Sequence, residues 1–195
     1  SKNQRKNTFL LWIKIIIGCI PAGVIGLLLD DLIPDNIILI AIMLIVYGAV
    51  YIYLESRPRK KVTIKSLNRL TYLDALKIGL FQCLAIIPGT SRSGSTILGG
   101  MLLGVDRVVS TEFSFFLAIP VMAGQSLLKL LKHGMFYTGT EVAVLLVGTV
   151  VAFITSLYAC RALLNYIKKH DFKVFGIYRI ILGVLILVYF LFIKK

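Results

Sequence analysis

The sequence has few of the residues from which metal sites are usually built. It contains three cysteines and two histidines among 195 residues. Cys19, Cys83 and Cys160 lie far apart inside apolar segments, so no metal-ligand spacing is present and packing as small buried hydrophobes is favoured. His133 and His170 lie in connections, where a solvated role is favoured.

Acidic residues are also scarce, with nine Asp and Glu against 22 Lys and Arg, for a net charge of +13. In a soluble protein this excess would suggest a nucleic-acid partner. Here the cations lie in the connections and at the ends of apolar runs, so anionic lipid headgroups and membrane topology explain most of them. We therefore expect a membrane partner and no nucleic acid.

Apolar residues dominate the chain, at 58% of the sequence with a mean hydropathy of +0.89. A transmembrane helix needs about 20 apolar residues. The runs that meet or approach this length are residues 9–29, 37–54, 108–131, 142–164 and 174–193. No strand pattern, low-complexity segment or soluble domain is evident. The sequence predicts an all-α integral membrane protein with about five transmembrane helices.

The charged connections predict the orientation of these spans. The basic connection that opens at residues 57–61 and also holds Lys65 and Arg69 is expected in the cytoplasm, and the acidic turn at residues 30–36 outside. A second cytoplasmic connection is marked by Arg161, Lys168, Lys169 and Lys173. Tyr47, Tyr51 and Tyr53 are predicted to lie at a membrane interface. Arg179 lies inside the last apolar run, and a side chain that reaches the cytoplasmic interface would account for it.

One polar stretch lies between two apolar segments that are each too short to cross a bilayer. Residues 75–87 and 97–105 flank the run Pro88-Gly89-Thr90-Ser91-Arg92-Ser93-Gly94-Ser95-Thr96. Two half-length pieces around a Gly-rich turn predict a re-entrant helical hairpin over residues 72–105. Irregular backbone persists at membrane depth only where protein buries it or it lines a wet cavity. The turn is therefore predicted to form the floor of a site.

The groups in this stretch are those that bind phosphate. Arg92 carries a permanent cation with a planar fork of donors, and an arginine in a membrane interior is a functional hypothesis by default. Gly89 and Gly94 allow the backbone to turn and to approach a ligand closely. A helix starting near residues 93–95 would point its N-terminus at the same anion. Hydroxyl donors come from Thr90, Ser91, Ser93, Ser95 and Thr96.

An N-capped helix without a ligand is the competing interpretation, in which Ser93 or Ser95 only satisfies backbone amides. Spacing alone leaves both open, although capping does not explain an arginine between two serines. Gln82, six residues before Pro88, either reaches the site or hydrogen-bonds a neighbouring helix.

A family resemblance rests on the stretch Pro88–Gly94 together with Asp74, Gly79, Gln82, Arg107, Glu112-Phe113-Ser114-Phe115 and Pro120. In these residues the chain resembles the undecaprenyl-diphosphate phosphatase family, bacterial membrane enzymes associated with bacitracin resistance. The resemblance covers the whole chain. It implies two inverted repeats and hydrolysis of undecaprenyl diphosphate to the monophosphate in the bacterial plasma membrane. The catalytic residues it implies are Arg92, Ser91 and Ser93. The substrate-binding residues are Gly89, Thr90, Gly94, Ser95, Thr96 and Gln82.

The family's first signature, a glutamate-rich helix followed by a Pro-x-Ser-Ser-Thr-Gly-His turn, does not occur in this sequence. We therefore expect an N-terminally truncated member. Residues 1–71 would be the last two spans of the first repeat with a basic loop, and residues 72–195 the second repeat. The Mg²⁺ or Ca²⁺ ligands implied by the family would lie in the absent part. A homo-oligomer or a complementing N-terminal half would then be a partner, and the isolated chain would be nearly inactive.

Two other functions remain open from the sequence. A polyprenyl-phosphate transporter or flippase is one, because repeats with broken helices also build transporters. A non-catalytic membrane protein in which the Ser-Arg-Ser turn is structural is the other.

Overall fold

The structure of the protein is a computed structural model that describes residues 2–29, 36–56, 62–133 and 138–193. Helices make up most of the described chain, and five of them are long and apolar enough to cross a membrane, as predicted. The helices are α1 (Lys2–Leu29), α2 (Ile37–Ser56), α3 (Tyr72–Cys83), α4 (Arg92–Leu102), α5 (Arg107–His133), α6 (Gly139–Lys169) and α7 (Lys173–Val188), which continues as a π-helical turn at Tyr189–Ile193. The spans are α1, α2, α5, α6 and α7.

Several charged positions used to predict the orientation lie outside the described residues. They are residues 30–35 of the acidic turn and residues 57–61 of the basic connection. The predicted orientation therefore stays a prediction from the sequence.

The two short helices α3 and α4 form a hairpin whose two ends are joined. Thr71 and Asp74 form a capping box that starts α3, which gives way to a 3₁₀ turn at Leu84–Ile86 before the loop that leads into α4. At the open end, Asp106 N donates to Ile64 O at 2.8 Å. The chain therefore enters and leaves the hairpin at the same level.

The tip of the hairpin packs against the backbone of α2. A Cβ atom placed on Gly89 would lie 2.5 Å from Ile40 O, so the turn touches the first turn of α2. Arg107, which follows the hairpin, is paired with Glu55 at the other end of α2. Between Ile40 and Glu55 the helix rises about 22 Å at roughly 1.5 Å per residue. The hairpin therefore extends along nearly the whole length of a membrane-spanning helix.

Two clusters of buried apolar residues hold the hairpin in place. One joins α1, α3 and α5 and consists of Ile15, Leu70, Ala75, Ile78, Val105, Val109, Phe113 and Leu117. The other joins α2, α4 and the α6–α7 connection and consists of Tyr47, Tyr51, Ile97, Leu98, Ile167 and Phe172. Because one cluster contacts α3 and the other α4, the hairpin lies between two helical walls.

The wall formed by α2 and α7 depends on close backbone approach. A Cβ atom on Gly48 would lie 2.6 Å from Gly176 O, and one on Gly183 would lie 2.7 Å from Ala41 O. Small residues permit this approach where van der Waals packing, rather than the hydrophobic effect, holds helices together. The two helices therefore form a close-packed base beside the hairpin tip.

A buried ion pair joins the cytoplasmic ends of these elements in the predicted orientation. Arg107 Nη2 lies 2.8 Å from Glu55 Oε2, and Phe172 N donates to Glu55 Oε1 at 3.3 Å. Arg107 also donates to the carbonyl of His170. The neighbouring Asp106 carboxylate instead accepts from Val108 N at 2.9 Å.

We expect Glu55→Gln to lower the free energy of unfolding by about 1–3 kcal/mol, because it leaves the buried Arg107 charge without a carboxylate. The measurement is an SDS unfolding titration in mixed micelles. Asp171→Asn is the matched control, because it removes the exposed pair with Lys173, whose atoms lie 3.9 Å apart, and should cost less than about 1 kcal/mol. Equal effects of the two substitutions would contradict the importance of the Glu55 pair.

Candidate functional site

The turn before α4 is closed by glycine and threonine. Gly89 has φ +87°, which an L-residue adopts only with strain. Thr90 Oγ1 lies 2.8 Å from Leu84 O and 2.7 Å from Ile87 O, so its hydroxyl has acceptors within the turn itself. Thr90 therefore stabilises the loop and has no hydroxyl proton left over for a ligand in this conformation.

The first turn of α4 offers donors beside the arginine. Ser91 is the N-cap, and its Oγ accepts from Gly94 N at 3.0 Å. That bond uses a lone pair, so the Ser91 hydroxyl keeps its proton for another acceptor. The amides of Arg92 and Ser93 belong to the first helical turn, where no intrahelical acceptor exists. Ser93 makes no side-chain hydrogen bond within the described part of the chain.

Arg92 begins α4 and its side chain is partly buried. Its Nη1 atom is inaccessible to solvent and has no hydrogen-bond partner within residues 2–29, 36–56, 62–133 and 138–193. No carboxylate among these residues forms an ion pair with it. A buried cationic donor without a partner is costly, and such groups in native structures call for a specific explanation such as an ion or ligand. Arg92 is therefore the strongest candidate of the loop for binding an anion.

Ser95 and Thr96 lie one turn deeper and contact other helices. Both are buried. Ser95 Oγ donates to the Tyr47 hydroxyl at 3.0 Å, and the Thr96 and Ser114 hydroxyl oxygens lie 2.7 Å apart. In this structure these hydroxyls join α4 to α2 and α5, so their positions favour support of the loop over direct contact with a ligand.

Gln82 lies on the last turn of α3 and is only 2% exposed. Neither its amide nitrogen nor its amide oxygen has a hydrogen-bond partner among the residues that the structure describes. The sequence left two roles open, and the hydrogen bond to a neighbouring helix is not formed here. A buried amide with no partner remains available to a polar ligand or to water.

The tyrosines of α2 are where sequence reasoning about the site failed. Tyr47 and Tyr51 are 8% and 5% exposed and pack in the core cluster that contains α4, so both side chains contact protein rather than face outward as interface aromatics were expected to do. Tyr53, at 52% exposed, is the one of the three that faces outward. The signal available in the sequence was the four-residue spacing of Tyr47, Tyr51 and Glu55, which places all three on one face of a helix.

Tyr51 also explains the glycine after Ser93. A Cβ atom on Gly94 would lie 2.5 Å from the Tyr51 hydroxyl oxygen, which does not leave room for a side chain. Gly94 therefore lets α4 approach α2, a packing role in addition to the flexibility expected from the sequence.

A divalent metal does not fit the donors found here. The described residues contain no group of three or more His, Cys, Asp or Glu side chains that could hold an ion. Mg²⁺ and Ca²⁺ bind oxygen ligands and mostly carboxylates, whereas the loop offers a cation, amides and hydroxyls. This set of donors is suited to an anion rather than to a metal cation.

The chain is similar to known proteins over nearly its whole length. The family described as "Bacitracin resistance protein BacA" matches residues 1–185. Undecaprenyl-diphosphatase 1 of Clostridioides difficile is 57% identical over 190 residues, which are 96% of this chain and 69% of that protein. Undecaprenyl-diphosphatase of Desulfitobacterium hafniense is 54% identical over 191 residues, 95% of this chain and 69% of that protein. An Enterococcus faecalis undecaprenyl-diphosphatase is 49% identical over 187 residues, which are 94% of this chain and 68% of that protein.

Proposed function

Because the chain belongs to the bacitracin resistance protein BacA family, we propose that it is a membrane phosphatase that hydrolyses undecaprenyl diphosphate to undecaprenyl phosphate. Its relatives carry the name undecaprenyl-diphosphatase at about half sequence identity or more. The protein is a multi-pass membrane protein of bacteria, with five helices of spanning length. Release of the terminal phosphate would return the lipid carrier to cell-wall synthesis.

The observation that carries this proposal is the partnerless, buried Nη1 of Arg92 at the start of α4. Two phosphate groups on a lipid provide the anion that such a donor needs. The guanidinium would bind the diphosphate oxygens. The hydroxyl groups of Ser91 and Ser93 and the first backbone amides of α4 would donate further hydrogen bonds to them. Gln82 would donate from the end of α3.

The same groups would also contribute to catalysis. Overall, water takes up the terminal phosphoryl group, the bond from that phosphorus to the bridging oxygen breaks, and inorganic phosphate and undecaprenyl phosphate result. Negative charge grows on the bridging oxygen as this bond breaks, and a fixed guanidinium beside it lowers the barrier. Ser95 and Thr96 would hold the helix that carries Arg92 rather than touch the diphosphate.

We place the Mg²⁺ or Ca²⁺ ligands of this reaction outside the residues described here, because these residues lack a suitable cluster of acids. A complementing segment or a second protein chain would then supply them. The role of this chain would be to bind and orient the diphosphate and to balance its charge.

The hairpin tip is expected near the outer end of the spans. Gly89 contacts Ile40, at the end of α2 opposite Glu55 and the connection that the positive-inside rule assigns to the cytoplasm. A diphosphate bound at Arg92 would accordingly be approached from the outer leaflet.

The test measures phosphate release from undecaprenyl diphosphate in detergent micelles. The chain alone is expected to release little phosphate. Co-expression with the part of the Clostridioides difficile relative that this chain does not match is expected to produce a complemented protein that releases it. We expect complementation because the matched part is 57% identical.

A transporter would behave differently in vesicles. Translocation of polyprenyl phosphate across the bilayer without phosphate release, by the complemented protein, would contradict the phosphatase and support the transporter. If the complemented protein neither releases phosphate nor translocates the lipid, both functions are contradicted and a structural role for the turn is favoured.

A further inference from the structure

Arg179 lies on α7 among apolar residues, and its side chain contacts the hairpin turn. Its Nη2 donates to Gly89 O at 2.8 Å. This carbonyl belongs to the residue with φ +87°, at the point where the chain reverses. The expectation that Arg179 reaches the cytoplasmic interface is therefore wrong, because the backbone of the tip supplies its acceptor.

A second contact of Arg179 leads to the other side of the loop. Its guanidinium carbon lies 5.7 Å from the centroid of the Tyr47 ring, which is a cation–π distance. The Tyr47 hydroxyl in turn accepts a hydrogen bond from Ser95 Oγ at 3.0 Å. Arg179 thus contacts the turn directly and the first part of α4 through Tyr47.

Arg92 lies three residues after Gly89 and three residues before Ser95, between these two points of attachment. The residues that anchor them, Tyr47 and Arg179, belong to α2 and α7, which pack closely through Gly48 and Gly176. A displacement of either attachment point would move the Arg92 guanidinium relative to the bound diphosphate.

We infer that Arg179 is a positioning residue, which fixes the hairpin tip on the α2–α7 wall so that Arg92 is held in its binding geometry. Its effect on catalysis rests on the proposed function, whereas its effect on the loop does not. The planar guanidinium suits this role because it donates along one edge while its face lies over an aromatic ring. Lysine has one compact charge and cannot do both equally well.

The first experiment follows hydrogen–deuterium exchange of peptides from residues 84–97 in lipid nanodiscs. The amides of Thr90 and Ser95 are bonded to Ile87 O and Ser91 O, so their exchange reports opening of the turn and of the helix start. Arg179→Gln is expected to accelerate exchange there at least tenfold, and Arg179→Lys to a smaller extent. Arg161→Gln, at an exposed arginine of α6, is the matched control and should leave it unchanged.

Tyr47→Phe separates the two contacts, because it keeps the ring under Arg179 and removes the acceptor of Ser95. Faster exchange at Ser95 with little change at Thr90 is expected. Unchanged exchange in both Arg179→Gln and Arg179→Lys would overturn the inference, whatever their activity.

The second experiment measures kcat and KM of the complemented protein. Misplacement of Arg92 should act mainly in the transition state, so Arg179→Lys is expected to lower kcat about 10-fold or more with a smaller change in KM. A rise in KM alone, without faster exchange, would instead mean that Arg179 binds substrate directly, and would overturn the positioning role. If the protein proves not to be a phosphatase, the exchange experiment still decides the inference.

Discussion

Arg92→Ala is expected to reduce phosphate release by the complemented protein by about 1,000-fold or more. An arginine that neutralises charge in phosphoryl transfer contributes on this order to kcat, because it acts where the charge develops. The structure supports an effect of this size, since Nη1 of Arg92 is buried and has no alternative partner in the described parts of the chain.

Arg92→Lys separates charge from geometry. Lysine keeps one positive charge but lacks the fork that binds two oxygens, so we expect partial activity, between those of the alanine variant and the original protein. Arg69→Ala is the control, because Arg69 is exposed in the connection that precedes α3. Phosphate release by Arg92→Ala above a tenth of the original rate would contradict the assignment of Arg92.

Gly89→Ala is expected to displace the hairpin tip and to abolish most of the activity. The backbone at φ +87° alone costs an L-residue about 1–2 kcal/mol. The new Cβ would also lie 2.5 Å from Ile40 O and 2.6 Å from Ile40 Cα, and these are backbone atoms of α2 that cannot rotate away. The turn must move, and the hydrogen bond from Arg179 to Gly89 O would be lost with it.

Thermal unfolding and phosphate release measure the two consequences of Gly89→Ala separately. A lower midpoint together with lost activity is expected. The matched control is Gly124→Ala on α5, where an added Cβ would meet no atom within 4 Å and alanine favours the helix. If Gly89→Ala were as stable and as active as the original protein, the close packing of the tip against α2 would not matter for function.

The hairpin and its arginine could be predicted from the sequence because both depend on local properties. Segments shorter than a bilayer on either side of a polar, glycine-containing run predict a break, and the structure has α3 and α4 on either side of it. Arg92 was recognisable because a cation in an apolar context is costly wherever the surrounding helices lie. The start of α4 at Arg92, slightly before the predicted residues 93–95, follows from Ser91 as the N-cap.

The roles of the individual hydroxyl groups could not be predicted from the sequence in the same way. Thr90, Ser91, Ser93, Ser95 and Thr96 are chemically alike in the sequence, and all five were candidates for binding a ligand. Which of them face other protein groups depends on the rotation of α4 about its axis. That rotation is set by contacts such as Ser95 with Tyr47 and Thr96 with Ser114, which join residues 48 and 18 positions apart.

The sequence by itself determined that this is an all-α membrane protein, which segments have the length and hydropathy of spans, and where the polar loop that carries Arg92 lies, because hydropathy, chain length and the cost of a buried cation act locally. Only the tertiary structure decided that Arg179 contacts the loop, that Glu55 pairs with Arg107, and that Tyr47 supports α4. These pairs arise from the packing of helices distant in sequence, and the packing depends on the combined shape of many side chains rather than on any one segment.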